Sequence, residues 1–525
     1  MSGGEPLPEQ RALGALLARF DVEGRLRGTR RHGRPVPRRA VDAEAVTGIT
    51  HDSRRVEPGM LFVAVPGEHV NGHDFAAAAV ARGAAVVIAE RPVGEIAVPQ
   101  VIVDAARPAL ASAAAWWFGD PSRDLTVVGI TGTDGKTTTA YLAVAALDAA
   151  GRRPGMIGTI ATRIGGRLDE HVEHATTPEA PDLQAALRGM VEAGDDTAVL
   201  ETTSHGLALD RVASVDYRVA ILTNLTHEHL DLHGTWEAYR DAKLSLFSRL
   251  RGPGAVGIVN LDDPSAGLFV GVTREAGARV ITYGTDPAAD VRATRISEDG
   301  RGLHADVQTP AGPVALNLGL AGRFNVHNAL GVIALGESLG LDQTAVLRGI
   351  AAVRRVPGRM EQIDSGQPFG VLVDFAHSPA SLRAVLELLA PGAAAHGGGL
   401  IAVFGSAGER DRAKRPQMGR IAGERCRLVV LANEDPRGED PGSIIDEIAR
   451  GAEAVGRRRG HDLLLIPDRR RAIEAAFEAA RPGDVVLLAG KGHERSIIGP
   501  DGPLPWDERA VAEELLAEMG YATGP

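Results

Sequence analysis

The segment from Thr131 to Thr138 (TGTDGKTT) has the residue types and spacing of a phosphate-binding loop. Its glycines let main-chain N–H groups curl around phosphate oxygens, and the helix predicted to follow adds partial positive charge at its N-terminus. We expect Lys136 to reach the outer phosphates and Thr137 to present its hydroxyl to Mg²⁺. Ile130 stands where the usual motif has its first glycine. The loop predicts a nucleoside triphosphate site without distinguishing a motor, a kinase, a GTPase or a ligase.

Two further polar segments follow predicted strands. Glu201 precedes the sequence TTSHG, and the segment 224–231 reads NLTHEHLD. Ligands gather at the carboxyl ends of strands in open α/β sheets, so Glu201 and His229 are candidate metal ligands. His227, His229 and His233 together suggest zinc as one alternative and a purely structural turn as another. Mg²⁺ with phosphate oxygens suits the adjacent loop better.

Lysine is scarce in this chain. Of 57 lysines and arginines, only Lys136, Lys243, Lys414 and Lys491 are lysine, so these are candidates for work that needs a compact charge or a reactive amine. Lys243 lies in a predicted helix (YRDAKLSLF), where an ordinary exposed lysine is the alternative. A protonated amine beside a divalent cation is unfavourable, so near a metal Lys243 either points away or is neutral or modified. Reaction with CO₂ gives a carbamate, which can bind metal as a carboxylate does.

Composition limits the class of protein. The chain has 525 residues, 44% of them hydrophobic and 24% charged, with a formal net charge of −11. At roughly 150 residues per domain this predicts about three domains, and the charge argues against a broad nucleic-acid surface. The basic stretch 25–39 is interpreted as a solvated, partly mobile segment, with a polyanion-binding arm as the alternative.

Cysteine use and the chain ends point to a compartment. Cys426 is the only cysteine, which excludes an internal disulfide and a zinc site of several thiolates. The first residues lack the order of a signal peptide, and no apolar run approaches the roughly 20 residues of a membrane helix. We therefore expect a cytoplasmic protein with neither nucleic acid nor membrane as a partner.

Alternating strand and helix patterns predict an α/β fold of three domains. Residues 1–123 form a small N-terminal α/β domain, 124–356 a central P-loop ATPase domain with a mainly parallel sheet, and 357–525 a C-terminal Rossmann-like domain. Helices are predicted over 137–150 and 322–339. The predicted strands are 61–65, 85–89 and 101–103 in the first domain, 125–130, 197–201, 219–223, 256–260 and 280–283 in the second, and 371–374, 400–404, 428–431, 463–466 and 485–489 in the third.

An ordered series of motifs runs from about Asp52 to Glu494. It comprises TGTDGKTT, ETTSHGL, NLTHEHLDLHG, YRDAKLSLF, GRFNVHN, VPGRME, DFAHSP, FGSAGERDRAKRP and GKGHE. The series resembles the Mur ligases, most closely their UDP-N-acetylmuramoyl-tripeptide synthetase (MurE-type) branch. The resemblance implies that the N-terminal domain binds a UDP-sugar, the central domain ATP and Mg²⁺, and the C-terminal domain the incoming amino acid.

The reaction implied by this resemblance builds the peptide of a peptidoglycan precursor. A diamino acid is added to the D-glutamate γ-carboxylate of UDP-N-acetylmuramoyl-L-alanyl-D-glutamate. ATP first phosphorylates that carboxylate, because a carboxylate is a poor electrophile, and the amine then displaces phosphate. Domain closure would keep water from the acyl phosphate. We expect the enzyme to be a monomer.

The resemblance also assigns site residues by position. Lys136, Glu201, His229 and Lys243 are the expected catalytic residues, and Thr137, Glu201, His229 and the Lys243 carbamate the expected metal ligands. The expected nucleotide contacts are Gly132, Thr133, Asp134, Gly135, Lys136, Thr137, Thr138, Asn328, Arg359, Asp374 and His377. The expected substrate contacts are Ser53, Glu68, His69 and Val70 for the uridine nucleotide, Thr176, Thr177, Thr203 and Arg211 for the muramyl peptide, and Arg410, Asp435, Pro436, Arg437, Gly438, Gly490 and Glu494 for the amino acid.

The amino-acid pocket leaves the diamino acid open. Relatives that use meso-diaminopimelate carry Asp-Asn-Pro-Arg, whereas residues 434–437 here are Glu-Asp-Pro-Arg. Arg437 can form a bidentate pair with the distal carboxylate of diaminopimelate, which lysine and ornithine lack. Asp435 in place of asparagine adds negative charge, which suits a terminal ammonium. Meso-diaminopimelate is slightly favoured. Ala175, where Asn is frequent, and Phe375, where Tyr is common, also depart from the family pattern.

Several other functions compete with this one. Folylpolyglutamate and cyanophycin synthetases share the ATP domain, but the His-Asp-Ser-Arg turn at 51–54, the TTPEA segment and the N-terminal domain argue against them. An amide ligase of specialised metabolism is a closer alternative. A nucleotide-dependent binding module without turnover is disfavoured by intact Lys136, Glu201, His229 and Lys243.

Overall fold

Three sheets follow one another along the chain, which confirms the predicted three-domain α/β fold. The structure is a computed structural model, and it describes residues 9–67, 70–170, 176–226, 230–299 and 302–521. The domain boundaries proposed from the sequence fall between the sheets, and they stay predictions.

The first unit has a six-stranded sheet in the order β3-β2-β8-β7-β6-β5 and a two-stranded sheet of β1 and β4. Its strands are β1 (Arg11–Ala12), β2 (Leu26–Arg31), β3 (Arg34–Val36), β4 (Ala45–Val46), β5 (Ile49–Thr50), β6 (Leu61–Val63), β7 (Val86–Ala89) and β8 (Gln100–Val103). Its α-helices are α1 (Leu13–Val22), α2 (Ala76–Ala81) and α3 (Ala106–Phe118). The pairs from β5 to β8 are parallel, and their continuous apolar runs are buried.

The basic stretch 25–39 is built into this sheet. Strand β2 pairs antiparallel with β8 and with β3, so the interpretation of a partly mobile segment is wrong for its backbone. Several of its arginines pair with nearby acids, among them Arg25 with Glu23 at 2.7 Å and Arg38 with Asp42 at 3.2 Å. The dense positive charge hid a strand pattern because arginine stems cover apolar surface while their heads stay in solvent.

The central unit holds an eleven-stranded sheet in the order β12-β11-β10-β13-β9-β14-β15-β16-β17-β18-β19. Its strands are β9 (Thr126–Thr131), β10 (Pro154–Ile157), β11 (Ala161–Ile164), β12 (Arg167–Glu170), β13 (Thr197–Glu201), β14 (Val219–Leu222), β15 (Val256–Asn260), β16 (Arg279–Gly284), β17 (Val291–Asp299), β18 (Gly302–Thr309) and β19 (Gly312–Leu318). Its helices are α4 (Lys136–Ala149), α5 (Ala180–Ala193), α6 (Ser204–Ala208), α7 (Leu230–His233), α8 (Trp236–Ser248), α9 (Ala266–Glu275), α10 (Phe324–Leu339) and α11 (Gln343–Ala352).

The middle of this sheet is parallel, as predicted, from β10 through β13, β9, β14 and β15 to β16. Apolar residues of α4, α10 and α11 pack on one face, and those of α5, α8 and α9 on the other. Because the sheet is covered on both faces, its central strands are almost wholly apolar and buried. The carboxyl ends of β9, β13 and β14 therefore meet at one edge, where the candidate site lies.

The C-terminal unit has a six-stranded sheet in the order β20-β21-β25-β22-β23-β24 and a β26–β27 hairpin. Its strands are β20 (Glu361–Ile363), β21 (Gly370–Asp374), β22 (Leu400–Phe404), β23 (Leu428–Leu431), β24 (Leu463–Leu465), β25 (Val485–Ala489), β26 (Ser496–Gly499) and β27 (Gly502–Pro505). Its helices are α12 (Pro379–Ala395), α13 (Lys414–Arg425), α14 (Pro441–Glu453), α15 (Arg469–Ala479) and α16 (Glu508–Glu518). Two apolar clusters cover the two faces of this sheet, as in a doubly wound fold.

Across the described part of the chain, every helix falls short of the length and apolar character needed to cross a bilayer.

Candidate active site

The phosphate-binding loop joins β9 to α4, as the sequence predicts. A side chain at Gly132 would overlap the Thr223 hydroxyl at the end of β14 and lie 2.9 Å from the Asn224 carbonyl oxygen, so only glycine fits this approach. Gly135 precedes the first residue of α4, whose N-terminus faces the loop. Lys136 Nζ donates to the carbonyls of Gly132 at 2.8 Å and Thr133 at 2.7 Å.

The neighbouring strand end holds the loop in place. Thr133 Oγ1 lies 2.8 Å from the Tyr239 hydroxyl and accepts the Thr226 N–H at 2.9 Å. The Asp134 N–H donates to Asn224 Oδ1 at 2.9 Å. These contacts fix the curvature of the loop, so its N–H groups are arranged before any phosphate arrives.

Two of the predicted metal ligands meet beneath the loop. Thr137 Oγ1 donates to Glu201 Oε2 at 2.9 Å, and Glu201 is only 1% exposed. Thr159 gives the same carboxylate two more hydrogen bonds, from its N–H and its hydroxyl, both at 2.9 Å. A buried carboxylate beside a hydroxyl suits Mg²⁺, which binds few protein oxygens and completes its shell with phosphate and water.

His229, the other predicted side-chain ligand, lies outside the described residues, as do His227 and Glu228. Among the described residues, no group of three or more His, Cys, Asp or Glu side chains is arranged to hold a metal ion. The metal role of Thr137 and Glu201 stays a prediction.

Lys243 is buried in α8 and contacts the phosphate loop. It is only 2% exposed, so the alternative of an ordinary exposed lysine is wrong. Its Nζ donates to the Gly132 carbonyl at 2.7 Å and lies 4.6 Å from the centre of the Tyr239 ring. The carbamate stays a prediction.

The predicted nucleotide contacts from the later parts of the chain surround the same loop. Asn328 of α10 packs against Gly135, and its Oδ1 accepts the Thr139 hydroxyl at 3.3 Å. From the C-terminal unit, Arg359 Nη2 reaches Thr137 Oγ1 at 3.4 Å. The guanidinium of Arg359 also stacks on Phe375, 4.6 Å from the ring centre.

Asp374 fixes the segment that carries Arg359. Its two carboxylate oxygens accept the N–H groups of Met360 and Ala376, each at 2.8 Å. Burial raises the pKa of Asp374, while the Arg359 charge and these hydrogen bonds act in the opposite direction. Three residues after Asp374, His377 Nδ1 lies 2.8 Å from the Phe375 carbonyl oxygen, and Lys414 donates to the His377 carbonyl at 2.8 Å.

The four predicted muramyl-peptide residues form one cluster beside Glu201. Thr177 Oγ1 lies 2.9 Å from Thr203 Oγ1, and Thr176 Oγ1 lies 3.0 Å from Thr159 Oγ1. Arg211 donates to the Thr177 carbonyl at 2.8 Å. The cluster is thus connected through hydroxyls to the predicted metal ligands.

The predicted uridine contacts lie in the N-terminal unit. Ser53 is on a short 3₁₀ turn, Ser53–Arg55, whose Arg55 pairs with Asp182 of α5 at 3.0 Å. Val70 is exposed. Glu68 and His69 lie outside the described residues.

One large cavity of about 870 Å³ lies between the central and C-terminal units. It gathers most of the predicted contacts for nucleotide, muramyl peptide and amino acid. Those lining it are Thr133, Asp134, Gly135, Lys136, Thr137, Thr138, Asn328, Arg359, Asp374, His377, Thr176, Thr177, Thr203, Arg211, Arg410, Asp435, Arg437 and Glu494. Gly132, Glu201, Lys243, Pro436, Gly438 and Gly490 do not line it, and Ser53 and Val70 are remote in the N-terminal unit.

The predicted amino-acid contacts lie on the loops after β22, β23 and β25. We call this surface the amino-acid wall; it comprises Arg410, 434–438, Gly490 and Glu494. Pro436 closes a turn there, because its carbonyl accepts the Glu439 N–H at 3.0 Å, and the exposed Gly438 follows Arg437. Gly490 lies against the Glu434 carboxylate: a side chain on it would approach Glu434 Oε2 to 2.7 Å.

Sequence reasoning gave no contact to four residues that shape the site: Thr159, Tyr239, Glu434 and Lys491. Thr159 lies outside the motifs, and Tyr239 opens YRDAKLSLF without any signal for its contact with the loop. Glu434 lines the cavity, and its place in the Glu-Asp-Pro-Arg stretch was the available clue. Lys491 was marked by the scarcity of lysine and by its place in GKGHE.

Fold and site together define a P-loop protein of three α/β domains, with a cavity between the second and third that most of the predicted ligand contacts line. Three family models match successive parts of the chain: the Mur ligase family catalytic domain at residues 45–116, the Mur ligase middle domain at 130–336 and the Mur ligase glutamate ligase domain at 358–492.

Individual relatives match over nearly their whole length. The UDP-N-acetylmuramyl-tripeptide synthetase of Roseiflexus sp. (strain RS-1) is 47% identical over 489 residues, covering 91% of this chain and 95% of the relative. The UDP-N-acetylmuramoyl-L-alanyl-D-glutamate–2,6-diaminopimelate ligase of Solibacter usitatus (strain Ellin6076) is 42% identical, covering 91% and 94%. A solved structure of a UDP-N-acetylmuramoyl-L-alanyl-D-glutamate–2,6-diaminopimelate ligase has a TM-score of 0.63 at 30% identity, covering 92% of this chain and 97% of that one.

The chain belongs to the Mur ligase family. The family predicted from the order of the motifs is thereby confirmed, as is the enzyme class.

Proposed function

We propose that this protein is an ATP-dependent ligase that adds meso-diaminopimelate to the D-glutamate γ-carboxylate of UDP-N-acetylmuramoyl-L-alanyl-D-glutamate, in peptidoglycan precursor synthesis. The observation that carries the proposal is the single cavity of about 870 Å³, which joins the phosphate loop, the threonine–arginine cluster and the acidic and basic wall of the C-terminal unit. A reaction of three substrates needs three such surfaces facing one space. The names of the relatives describe the same chemistry.

Two oppositely charged side chains support diaminopimelate over lysine or ornithine. Glu434 and Arg437 both line the cavity. A ligand that places an opposite charge against each of them is favoured over one that pairs with Glu434 alone. The distal end of diaminopimelate carries an ammonium for Glu434 and a carboxylate for Arg437. Lysine and ornithine offer only the ammonium.

The chemistry follows from the position of each group. Lys136 and the loop N–H groups would hold the outer phosphates of ATP, and Arg359 would approach them from the C-terminal unit. A γ-carboxylate oxygen of the glutamate attacks the terminal phosphorus and ADP leaves. The uncharged amine then attacks the carbonyl carbon, and inorganic phosphate leaves with the C–O bond electrons.

Thr137 and Glu201, with His229 and a Lys243 carbamate, are the groups we propose to hold Mg²⁺. The ion would offset negative charge that develops on the phosphate oxygens. The hydroxyls of Thr159 and Thr137 orient the Glu201 carboxylate before a metal binds, because both already donate to it at 2.9 Å.

The roles of the domains are part of the proposal. We assign UDP-sugar binding to residues 1–123, with Ser53, Glu68, His69 and Val70 as contacts, ATP binding to 124–356, and amino-acid binding to 357–525. We further propose that the enzyme works in the cytoplasm as a monomer.

One experiment tests the activity directly. Purified protein is given the UDP-linked dipeptide, ATP, Mg²⁺ and, in separate reactions, meso-diaminopimelate, L-lysine or L-ornithine, and the product is identified by mass. We expect the diaminopimelate tripeptide, with phosphate release that requires both acceptor and amine. The Lys136→Met variant, which removes only the loop ammonium, should release no phosphate. Failure to form a tripeptide with any of the three amines would overturn the proposal.

A further inference from the structure

Lys491 lies at the base of the amino-acid wall and connects two of its acids. It is fully buried, at 0% exposure. Its Nζ lies 2.7 Å from Asp435 Oδ1 and 2.5 Å from Glu494 Oε2. The Ile498 N–H donates to the same Asp435 oxygen at 2.9 Å. The Asp435 carboxylate therefore already pairs with the Lys491 ammonium and the Ile498 main-chain N–H.

This geometry changes what Asp435 can do for the substrate. Its sequence position suggests a negative charge that would attract the terminal ammonium of lysine. Lys491 offsets the negative charge of Asp435 at 2.7 Å, so the electrostatic attraction between this carboxylate and a third charged group is weak. Arg469, another buried cation of the C-terminal unit, is engaged by Glu508 at 2.6 Å and by the carbonyls of Asn433 and Ala489.

We propose that Lys491 is a specificity-determining residue: by neutralising Asp435, it leaves Arg437 and Glu434 as the charges that the distal end of the diamino acid meets. This inference rests on the proposed ligase function and deepens it. Lys491 acts through Asp435 and Glu494, so it is a positioning residue.

The charge balance explains the selection. With Asp435 paired to Lys491, the stretch 434–437 offers one positive group, Arg437, and one negative group, Glu434, which match a substrate end that carries a carboxylate and an ammonium. Without Lys491, Asp435 would add an uncompensated negative charge. That charge would repel the distal carboxylate of diaminopimelate and favour the lone ammonium of lysine.

The test is a ratio that does not depend on how much protein is folded. We compare kcat/KM for meso-diaminopimelate with kcat/KM for L-lysine in the wild type and in Lys491→Met. We expect the diaminopimelate-to-lysine ratio to fall by about tenfold or more in Lys491→Met. An unchanged ratio, with both substrates slowed equally, would overturn the inference.

Two further variants check the cause. In Asp435→Asn/Lys491→Met the Asp435 charge is gone and Glu494 alone lacks its ammonium, so the ratio should rise at least about threefold above that of Lys491→Met. In Asp435→Asn alone, Lys491 keeps only Glu494, so the ratio should rise. A double variant that stays as low as Lys491→Met, or an Asp435→Asn ratio equal to the wild type, would contradict the role. Arg420→Met, on the outer surface, is the matched control for loss of one positive charge.

The wild-type arm separates the two proposals. If the wild type joins none of the diamino acids to the UDP-linked dipeptide, the proposed function fails. If the wild type forms the tripeptide and only the ratios fail to move, the activity stands and the role of Lys491 is lost.

Discussion

Lys243 is a buried lysine whose amine contacts the phosphate loop. A lysine that is 2% exposed, held by the Gly132 carbonyl and an aromatic face, is well placed to act on the phosphate loop. An arginine would need more room and could not form a carbamate. The burial explains why lysine is kept at this position in a chain that otherwise uses arginine.

The carbamate hypothesis makes a sharp prediction for this residue. Lys243→Ala and Lys243→Arg should both lose activity, by roughly a hundredfold or more, because neither side chain can supply the carboxylate to the metal. Added acetate should restore part of the activity of Lys243→Ala, since it can occupy the vacated space as a carboxylate. Tripeptide formation with and without acetate measures this.

Labelling provides an independent readout. With ¹³CO₂, the wild type should give a carbamate carbon resonance that is absent from Lys243→Ala, and acetate should leave the wild-type rate unchanged. Full activity in Lys243→Arg would refute the carbamate.

At the scale of elements, the loop before β20 and the loop after β25 in the C-terminal unit are in direct contact. A side chain on Gly358, in the loop before β20, would overlap the main-chain N of His493, in the loop after β25. Gly492 lies against Phe375, whose ring stacks on Arg359 at 4.6 Å and on His493 at 4.9 Å. The segment that carries Arg359 toward the phosphates thus touches the segment that carries Glu494.

Gly358→Ala should separate these loops, because the obstacle is backbone and cannot rotate away. We expect kcat/KM to fall by about tenfold or more for both ATP and the diamino acid, with a loss of folding stability of roughly 1–3 kcal/mol. Steady-state kinetics with each substrate varied, and urea unfolding, measure the two effects.

Gly366→Ala is the matched control. Gly366 has a similar positive φ, +82° against +63° at Gly358, but has open space around it. It should show only the backbone strain, with unchanged KM values. Equal kinetic effects in the two variants would mean that strain, and not the contact between the loops, explains the loss.

The strands of the central unit differ in how well the sequence pattern predicted them. The strands before the site, such as β9, β13 and β14, were predicted within about one residue, because they are buried on both faces and read as continuous apolar runs. The antiparallel strands β17, β18 and β19 were not predicted. Buried residues alternate with more exposed ones, as in VRAT of β17 or LHADVQ of β18, so polar residues interrupt the apolar pattern.

The site was predictable where chemistry is local and less so where it depends on contacts between distant segments. The phosphate loop carries its own signature, so Lys136 and Thr137 could be named from eight residues. Asp435 was misleading, because its sequence neighbours do not reveal that Lys491, fifty-six positions later, neutralises it. Thr159 donates to Glu201 across forty-two positions, and no motif signals that contact.

At the scale of the whole molecule, Glu179 joins the N-terminal unit to the muramyl-peptide cluster. Its carboxylate lies 2.8 Å from Arg211 Nη2 and 3.7 Å from Arg107 Nη1 of α3. Arg211 in turn holds the Thr177 carbonyl. The position of the N-terminal unit and the orientation of a predicted substrate arginine therefore depend on the same carboxylate.

Glu179→Gln should weaken sugar-nucleotide binding selectively, because it releases both arginines and leaves the phosphate loop untouched. We expect KM for the UDP-linked dipeptide to rise by about tenfold, and KM for ATP to change by less than about twofold. Steady-state kinetics with each substrate varied at saturating levels of the others measure both constants.

Asp216→Asn is the matched control, because the Asp216–Arg123 pair is largely exposed and remote from the cavity lining. It should leave both constants unchanged. A comparable rise in KM for ATP in Glu179→Gln would show that the carboxylate supports the fold in general.

The contact between Gly358 and His493 also bears on timing. Because this contact joins the segment of Arg359 to the segment of Glu494, we expect both segments to approach a bound nucleotide together. The activated acyl group would then spend its short lifetime next to the nucleophile that consumes it, and hydrolysis would have little opportunity to compete.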